Sequence, residues 1–317
     1  MATIILGASS LIGAHLIQRL HNIGDDPICL TRSKQRVLAD ASFRHFDPSA
    51  ASPLADKNDD VLSLVPLRIA ASLLPRLSHA RRFVALGSTS LHSKIGSTDP
   101  QEKKEAKALA AAESTLIEAY GTGIVILRPT LIYDGLRDRN VTAIARMARS
   151  WGIVPIASPG KGLRQPIHAN DVAAAIEAVL ARWNEVATSC VYDLPGTDTM
   201  TYTEMVARII QAAAPQARIL PIPVRAIETG LRLMRLLGSS YTVGAANRMN
   251  ADQAYDGATT WQRLGFEPRP FHPCFPPSDA ASLDNGHTTM SSLRSEPEDR
   301  STAFGSIRKS EALIAAG

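Results

Sequence analysis

Apolar positions along this chain follow two periods in alternation. Thr3-Ile4-Ile5-Leu6 is a short apolar run that breaks at Gly7-Ala8-Ser9-Ser10, after which Leu11, Ile12, Leu16, Ile17 and Leu20 recur at helical spacing. This pattern predicts a strand, a tight turn and a helix. The succession then repeats. Strand-like runs at Pro27–Thr31, Phe43–Asp47, Asp60–Pro66, Arg82–Leu86 and Ile124–Arg128 are interspersed with helical stripes. One stripe carries Ala70, Leu73, Leu74 and Leu77. Another runs from about Gln101 to Tyr120, with Ala106, Leu109, Ala110, Glu113, Leu116, Ile117 and Tyr120 on one face and Lys103, Lys104, Glu105 and Lys107 opposite. Asp99-Pro100 marks its start and Gly121 its end. Strands alternating with helices predict an α/β fold built on a doubly wound parallel sheet.

The second half predicts a smaller α/β lobe. Ile144, Met147, Ala148 and Trp151 suggest one helix, and Val172, Ala175, Ile176, Val179 and Leu180 a second that opens at Asp171. Thr201-Tyr202-Thr203-Glu204 reads as a capping box before Met205, Val206, Ile209 and Ile210. Cys190–Leu194 and Ile219–Ile222 look like short strands. Val224–Leu237 reads as a basic amphipathic helix whose Arg225, Arg232 and Arg235 snorkel from a lobe surface or face an anionic membrane. Beyond Pro276-Pro277 a polar stretch without apolar periodicity predicts a disordered tail. The expected division is 1–135 for the sheet core, 136–277 for a C-terminal substrate lobe interleaved with the last sheet elements, and 278–317 for the tail.

Composition narrows the class. The 317 residues are 45% hydrophobic and 20% charged, enough for a substantial core. From Asp279 onward six acids face Arg294, Arg300, Arg308 and Lys309, so the net charge of +4 becomes +6 on the preceding body. A mildly basic body suits an anionic small molecule and lacks the dense basic clusters with interleaved aromatics that nucleic acid requires. Cys29, Cys190 and Cys274 lie far apart without metal-ligand spacing, so they read as reduced, mostly buried thiols and no metal is expected. No signal-peptide pattern and no apolar run of spanning length points to a membrane, so the cytoplasm is the expected location.

Candidate chemistry begins at the first turn. A strand feeding a Gly/Ser turn and a helix N-terminus directs backbone N–H groups at one spot, where they stabilise a phosphate. The spacing Gly7, Ser10, Gly13 fits a dinucleotide turn with serine at the middle glycine position. After the second strand, Arg32, Lys34 and Arg36 stand where an acid would hold the ribose hydroxyls of NAD, which favours the 2′-phosphate of NADP, with NAD also allowed. Asp47 falls near the expected adenine edge, or caps a turn. Ser88, Thr89 and Ser90 end a strand where hydroxyls can polarise a reacting carbonyl or hydroxyl, and also fit an ordinary turn. His92, Lys94 and Tyr133 are candidate proton donors.

The opening turn, the Ser/Thr strand end, Leu127-Arg128-Pro129-Thr130 with Tyr133, and Arg164-Gln165-Pro166-Ile167-His168-Ala169-Asn170-Asp171 come in an order that resembles the extended and atypical short-chain dehydrogenase/reductases. More narrowly, residues 2 to 275 resemble the NAD-dependent epimerase/dehydratases, or nucleoside-diphosphate-sugar epimerases. The resemblance implies a Rossmann-like fold. It implies that Gly7, Ser9, Ser10, Leu11, Ile12 and Gly13 cradle a pyrophosphate, that Arg32 meets the adenosine end, and that Pro129 backs the nicotinamide. Ser88 or Thr89 takes the place of the catalytic serine. Arg164 is implied to contact a substrate diphosphate, with Asn140 and its Asp138-Arg139 neighbours near the same pocket. His168, Asn170 and Asp171 order the entry to the next helix.

One departure limits the transfer. The family's acid/base is a tyrosine four residues before a lysine, which lowers the phenol pKa from about 10. None of Tyr120, Tyr133, Tyr192, Tyr202, Tyr241 and Tyr255 has lysine four positions on, and four residues before Lys107 stands Lys103. The expected function is therefore an NAD(P)-dependent oxidoreductase or epimerase acting on a nucleotide-linked sugar or a similar hydroxyl or carbonyl substrate, with a homodimer allowed. The alternatives are a catalytically silent NAD(P)-binding sensor or scaffold, and an isomerase or lyase without redox change.

Overall fold

The computed structural model describes residues 2–31, 41–47, 50–77, 80–97, 99–188, 190–227, 229 and 247–276. Arg32, most of the helix expected at 224–237, and the 278–317 tail lie outside them.

Seven strands form one parallel sheet: β1 (Thr3–Leu6), β2 (Ile28–Thr31), β3 (Ser42–His45), β4 (Asp60–Ser63), β5 (Arg82–Leu86), β6 (Ile124–Pro129) and, from far along the chain, Val191–Leu194. The last strand pairs β6 on its outer side, and the order across the sheet is β3-β2-β1-β4-β5-β6 followed by Val191–Leu194. Every pairing in this sheet is parallel, and the order reverses between β1 and β4. That reversal opens a crevice at the strand C-termini, where ligands of doubly wound sheets bind.

Side-chain alternation along the strands explains the layers. Ile5, Leu62, Val84, Val125 and Leu127 pack on one face with Leu16, Ile17 and Leu20 of α1 (Gly13–Asn22). Ile4, Leu6, Val61, Phe83, Ala85, Ile124 and Ile126 point the other way, into a core with Leu67, Ala70 and Leu77 of α2 (Leu67–Ser72) and α3 (Leu74–Leu77). A short α4 (Ser90–Ile95) precedes α5 (Pro100–Tyr120), which closes this face with Ala112 and Leu116. Both faces of β1, β4, β5 and β6 are therefore buried, which is why these strands read as continuous apolar runs, whereas the edge strand β3 is largely exposed. Each fully buried Val, Leu or Ile contributes about 1.5–3 kcal/mol.

Ends are set locally. Asp99 caps α5 by accepting from Gln101 N at 2.8 Å, with Pro100 in the first turn. Two buried residues of this helix fall outside the face read from the sequence, Ala112 and Glu102, and Glu102 accepts from Ser97 Oγ and forms an ion pair with Arg248.

The lobe has its own core. After β7 (Ile132–Tyr133) come α6 (Val141–Trp151), β8 (Ile153–Ser158), β9 (Leu163–Arg164), β10 (Ile167–His168), α7 (Ala169–Ala181), α8 (Trp183–Val186) and β11 (Val191–Leu194), the outer sheet strand already described. β12 (Met200–Thr201), α9 (Tyr202–Ala213), β13 (Arg218–Pro223) and α10 (Ala258–Leu264) complete the described elements. α6 and α9 enclose Ile144, Met147, Val154, Ile156, Met205, Val206 and Ile209. The capping box forms as the sequence predicts, with Glu204 N donating to Thr201 Oγ1 and Thr201 N to Glu204 Oε2. By contrast α7 belongs to the sheet domain, packing Val172, Ile176 and Val179 beside α1. His168 caps it: its Nδ1 accepts from Asn170 N at 3.1 Å. Of the three cysteines, none in a disulfide, Cys29 is buried, whereas Cys190 is half-buried and Cys274 exposed, so the expectation of mostly buried thiols holds for Cys29 alone.

Candidate active site

The turn after β1 lies at the point where the sheet order reverses. Gly7 adopts φ +78°, and Ser10 N donates to its carbonyl at 2.9 Å. A Cβ on Gly13 would lie 1.9 Å from the carbonyl oxygen of Ala8, so glycine is what lets α1 start directly against the strand. α1 has no side-chain cap and no acid in its first turn. Among the described residues two shielded hydroxyls have no hydrogen-bond partner beside this crevice: Ser10 Oγ in the turn and Ser63 Oγ at the end of β4. Orphaned hydroxyls cost about 1–3 kcal/mol each unless a ligand or water completes them. The turn therefore fits a phosphate ligand, with Ser10 at the middle glycine position contributing a hydroxyl.

The neighbouring strand end carries the hydroxyl cluster. Ser88 Oγ donates to Ser90 Oγ at 2.9 Å. Thr89 is buried and turned toward β6, its N and Oγ1 both donating to Pro129 O at 3.3 Å. Thr89 thus ties β5 to β6, and Ser88 is the more available hydroxyl. His92, on α4, places Nε2 3.1 Å from Asp193 Oδ2 on β11. Asp193 also lies 3.9 Å from Arg128, whose guanidinium is held by the buried Glu113. The His92 ring packs against Tyr255 at 5.3 Å, and the Tyr255 hydroxyl donates to Thr89 O at 3.2 Å. Burial first, then the Asp193 charge, raises the Tyr255 pKa, so its phenol stays protonated at neutral pH.

Tyr255 and Asp193 are absent from the sequence-based candidates because nothing local marks them. Tyr255 arrives on the 247–256 segment, which the lobe pins from several sides. Gln165 takes Tyr255 N at 2.7 Å and donates to Tyr255 O at 3.2 Å. Gly160 N donates to Asn250 Oδ1, Leu163 N to Asp252 Oδ1, and Arg248 reaches Glu102 on α5.

Two sequence candidates occupy other roles. Arg164 is buried, donating to Leu163 O at 2.7 Å, to Ala251 O at 2.9 Å and to Arg248 O, with its guanidinium over the Tyr202 ring. It therefore clamps the 247–256 segment, in contrast to the diphosphate contact that the resemblance implies. Tyr133 is 2% exposed, wedged edge-on between His168 and Phe271, and burial pushes its pKa up to about 12. Its ring is part of the lobe core, which takes it away from the strand-end cluster.

The remaining candidates are spread around the crevice. Pro129 ends β6 beside Thr89. Asp47 is exposed beyond the end of β3, its carbonyl accepting from Arg76 at 2.8 Å. Asn140 precedes α6 and donates its N–H to Asp138 Oδ1 at 3.1 Å. Lys94 pairs with Glu105 of α5 at 2.9 Å, beside Ser90, in a cleft of about 450 Å³ that Gln101 and Arg68 also line. No tyrosine stands on the first half of α5; Tyr120 ends it and donates to Leu77 O. Among the described residues there is no cluster of His, Cys, Asp and Glu that could hold a metal, and no helix long and apolar enough to cross a membrane.

No protein-family model and no curated protein matches the chain. Solved structures do. A UDP-N-acetylglucosamine 4-epimerase from Bacillus cereus aligns over 92% of this chain and 99% of its own, with TM-score 0.58 and 15% identity. An epimerase from Methanothermobacter thermautotrophicus aligns over 90% of this chain and 92% of its own, with TM-score 0.64 and 14% identity. An NAD-dependent NDP-hexosamine 5,6-dehydratase of tunicamycin biosynthesis aligns over 90% of this chain and 99% of its own, with TM-score 0.63 and 12% identity. The chain thus has the Rossmann-like fold of the NAD-dependent epimerases and dehydratases, the fold implied by its sequence resemblance.

Proposed function

We propose that the chain is an NAD(P)-dependent oxidoreductase or epimerase acting on a nucleotide-linked sugar or a related hydroxyl or carbonyl substrate. The observation that carries the reading is the turn Gly7–Gly13 at the reversal of the sheet order, where Gly13 permits close packing and Ser10 Oγ is left without a partner. The structural neighbours, one of them NAD-dependent and two of them named for sugar-nucleotide substrates, support it. Arg32 favours NADP by its position after β2, with NAD as the other candidate. A bound nicotinamide supplies hydride exchange at a carbinol carbon.

The chain's own residues then handle oxygen and proton. Ser88 orients the reacting oxygen, since a hydroxyl both donates and accepts. His92 moves the proton. Asp193 accepts from Nε2–H, which leaves Nδ1 as the basic nitrogen and stabilises the imidazolium that forms. Tyr255 packs on the same imidazole. This pairing replaces the lysine-assisted phenol that α5 lacks.

The missing tyrosine also favours a second reading, a nucleotide-binding sensor or scaffold without turnover. Fluorescence titration with NADPH and NADH, followed by assays on a panel of UDP- and dTDP-hexoses, separates the two. Binding with turnover that His92→Gln abolishes is the expected result. Binding without turnover selects the sensor, and failure to bind either cofactor ends both readings.

A further inference from the structure

A cleft of about 290 Å³ lies between the opening turn and the loop that follows β7, lined by Ser9, Leu11, Ile132, Arg137, Asp138 and Arg139. The loop is held by two of its own carboxylates. Asp134 Oδ1 accepts from the N–H groups of Leu136, Arg137 and Asp138, at 2.8, 2.8 and 3.1 Å. Asp138 is buried, and its two oxygens accept from Gly135, Asn140 and Thr142 N–H at 3.2, 3.1 and 2.9 Å and from the Thr142 hydroxyl. The one carboxylate lining the cleft is thereby turned into the loop and solvated by it. The guanidinium groups on either side are exposed: Arg137 has a single loose ion pair, 3.7 Å to Asp134, and Arg139 has no ion-pair partner among the described residues.

Facing them is the exposed Ser9, next to Ser10 with its partnerless hydroxyl and to an α1 N-terminus without cap or acid. Two arginines lining one cleft, opposite Ser9 and Leu11 of the turn that leads into the uncapped α1 N-terminus, are complementary to a group with two negative charges. The expected arginine, Arg164, is buried among carbonyls of the lobe.

We propose that Arg137 and Arg139 form the outer wall of a diphosphate site whose inner wall is the Gly7–Gly13 turn, so that the loop after β7 clamps the pyrophosphate of the bound dinucleotide. The inference rests on the NAD(P)-binding reading above. It assigns the loop to the cofactor and not to the nucleotide sugar.

The test compares the unaltered chain with R137Q/R139Q and R137K/R139K, titrated with NADPH, NADH, ADP-ribose and UDP at low and moderate salt. Loss of two charge-assisted contacts is expected to weaken NADPH, NADH and ADP-ribose roughly ten-fold or more in the glutamine variant. The lysine variant should recover part of that loss, the salt dependence should flatten, and the melting temperature should stay unchanged because both side chains are exposed. Dinucleotide affinity within two-fold of the unaltered chain overturns the proposal. So does a loss confined to UDP, which would assign the cleft to substrate. If the unaltered chain binds no dinucleotide, the NAD(P) reading itself fails and takes this inference with it.

Discussion

The two ends of the candidate site are built in opposite ways. The opening turn is made by consecutive residues, Gly7 to Gly13, folded between β1 and α1. The strand-end cluster takes Ser88 from the turn after β5, His92 from α4, Asp193 from β11 and Tyr255 from the lobe's closing segment. A locally built element depends on backbone fit and is vulnerable to an added methyl group. An assembled one depends on paired charges and long-range tethers, and is vulnerable to the loss of a single partner.

Four measurements test that contrast, taken from the largest expected effect. Arg128→Ala leaves Glu113, 5% exposed, as an unpaired carboxylate under the strand end. It is expected to cost about 3–5 kcal/mol in urea unfolding. A loss under about 1 kcal/mol would show that the charges do not hold the assembled half. Gly13→Ala forces a Cβ against Ala8 O and should cost about 1–3 kcal/mol while weakening NADPH binding. If binding survives intact, the turn is not the cofactor's site. Tyr255→Phe removes the hydroxyl that bonds Thr89 O, so a stability loss of about 0.5–1.5 kcal/mol is expected. The cofactor affinity of the turn should stay unchanged, because the two halves share no contact through that phenol.

The smallest effect is a pH dependence. Burial, and then Arg269, lowers the His168 pKa below its usual 6.5, and burial lowers that of neighbouring His15 as well. Unfolded histidine takes up a proton near 6.5, and the folded state resists it. The stability is therefore complete above pH 6.5 and declines as pH falls from there toward the folded values. His168→Asn keeps an acceptor for the α7 cap and should reduce that slope between pH 8 and 5. An identical slope would place the titration elsewhere.

Much of the fold is legible in the sequence because it is local. The runs at Ile4, Val61, Phe83 and Ile124, the Asp99-Pro100 start of α5 and the Thr201–Glu204 capping box each state their element within a few residues. The turn is legible too: the spacing of Gly7 and Gly13 places them, and the structure supplies the reason, a contact with Ala8. Other residues mislead when read locally. Arg164 has the sequence context of a diphosphate contact and instead closes the lobe. Tyr133 has the chemistry of a proton donor and the surroundings of a core residue. Glu102 looks solvated on a helix among lysines, yet is buried against Arg248.

By itself the sequence determined the order of strands and helices, the two apolar faces of the sheet and the glycine turn that opens the chain. Periodicity and backbone freedom act over a handful of residues and leave their mark in the string. Only the tertiary structure decided which polar groups meet: His92 with Asp193, Tyr255 with Thr89, Arg137 and Arg139 beside Ser9. Those partners lie up to 166 positions apart. A side chain's partner, burial and charge environment are set by whatever the packed elements bring within a few ångströms, and no local pattern records that.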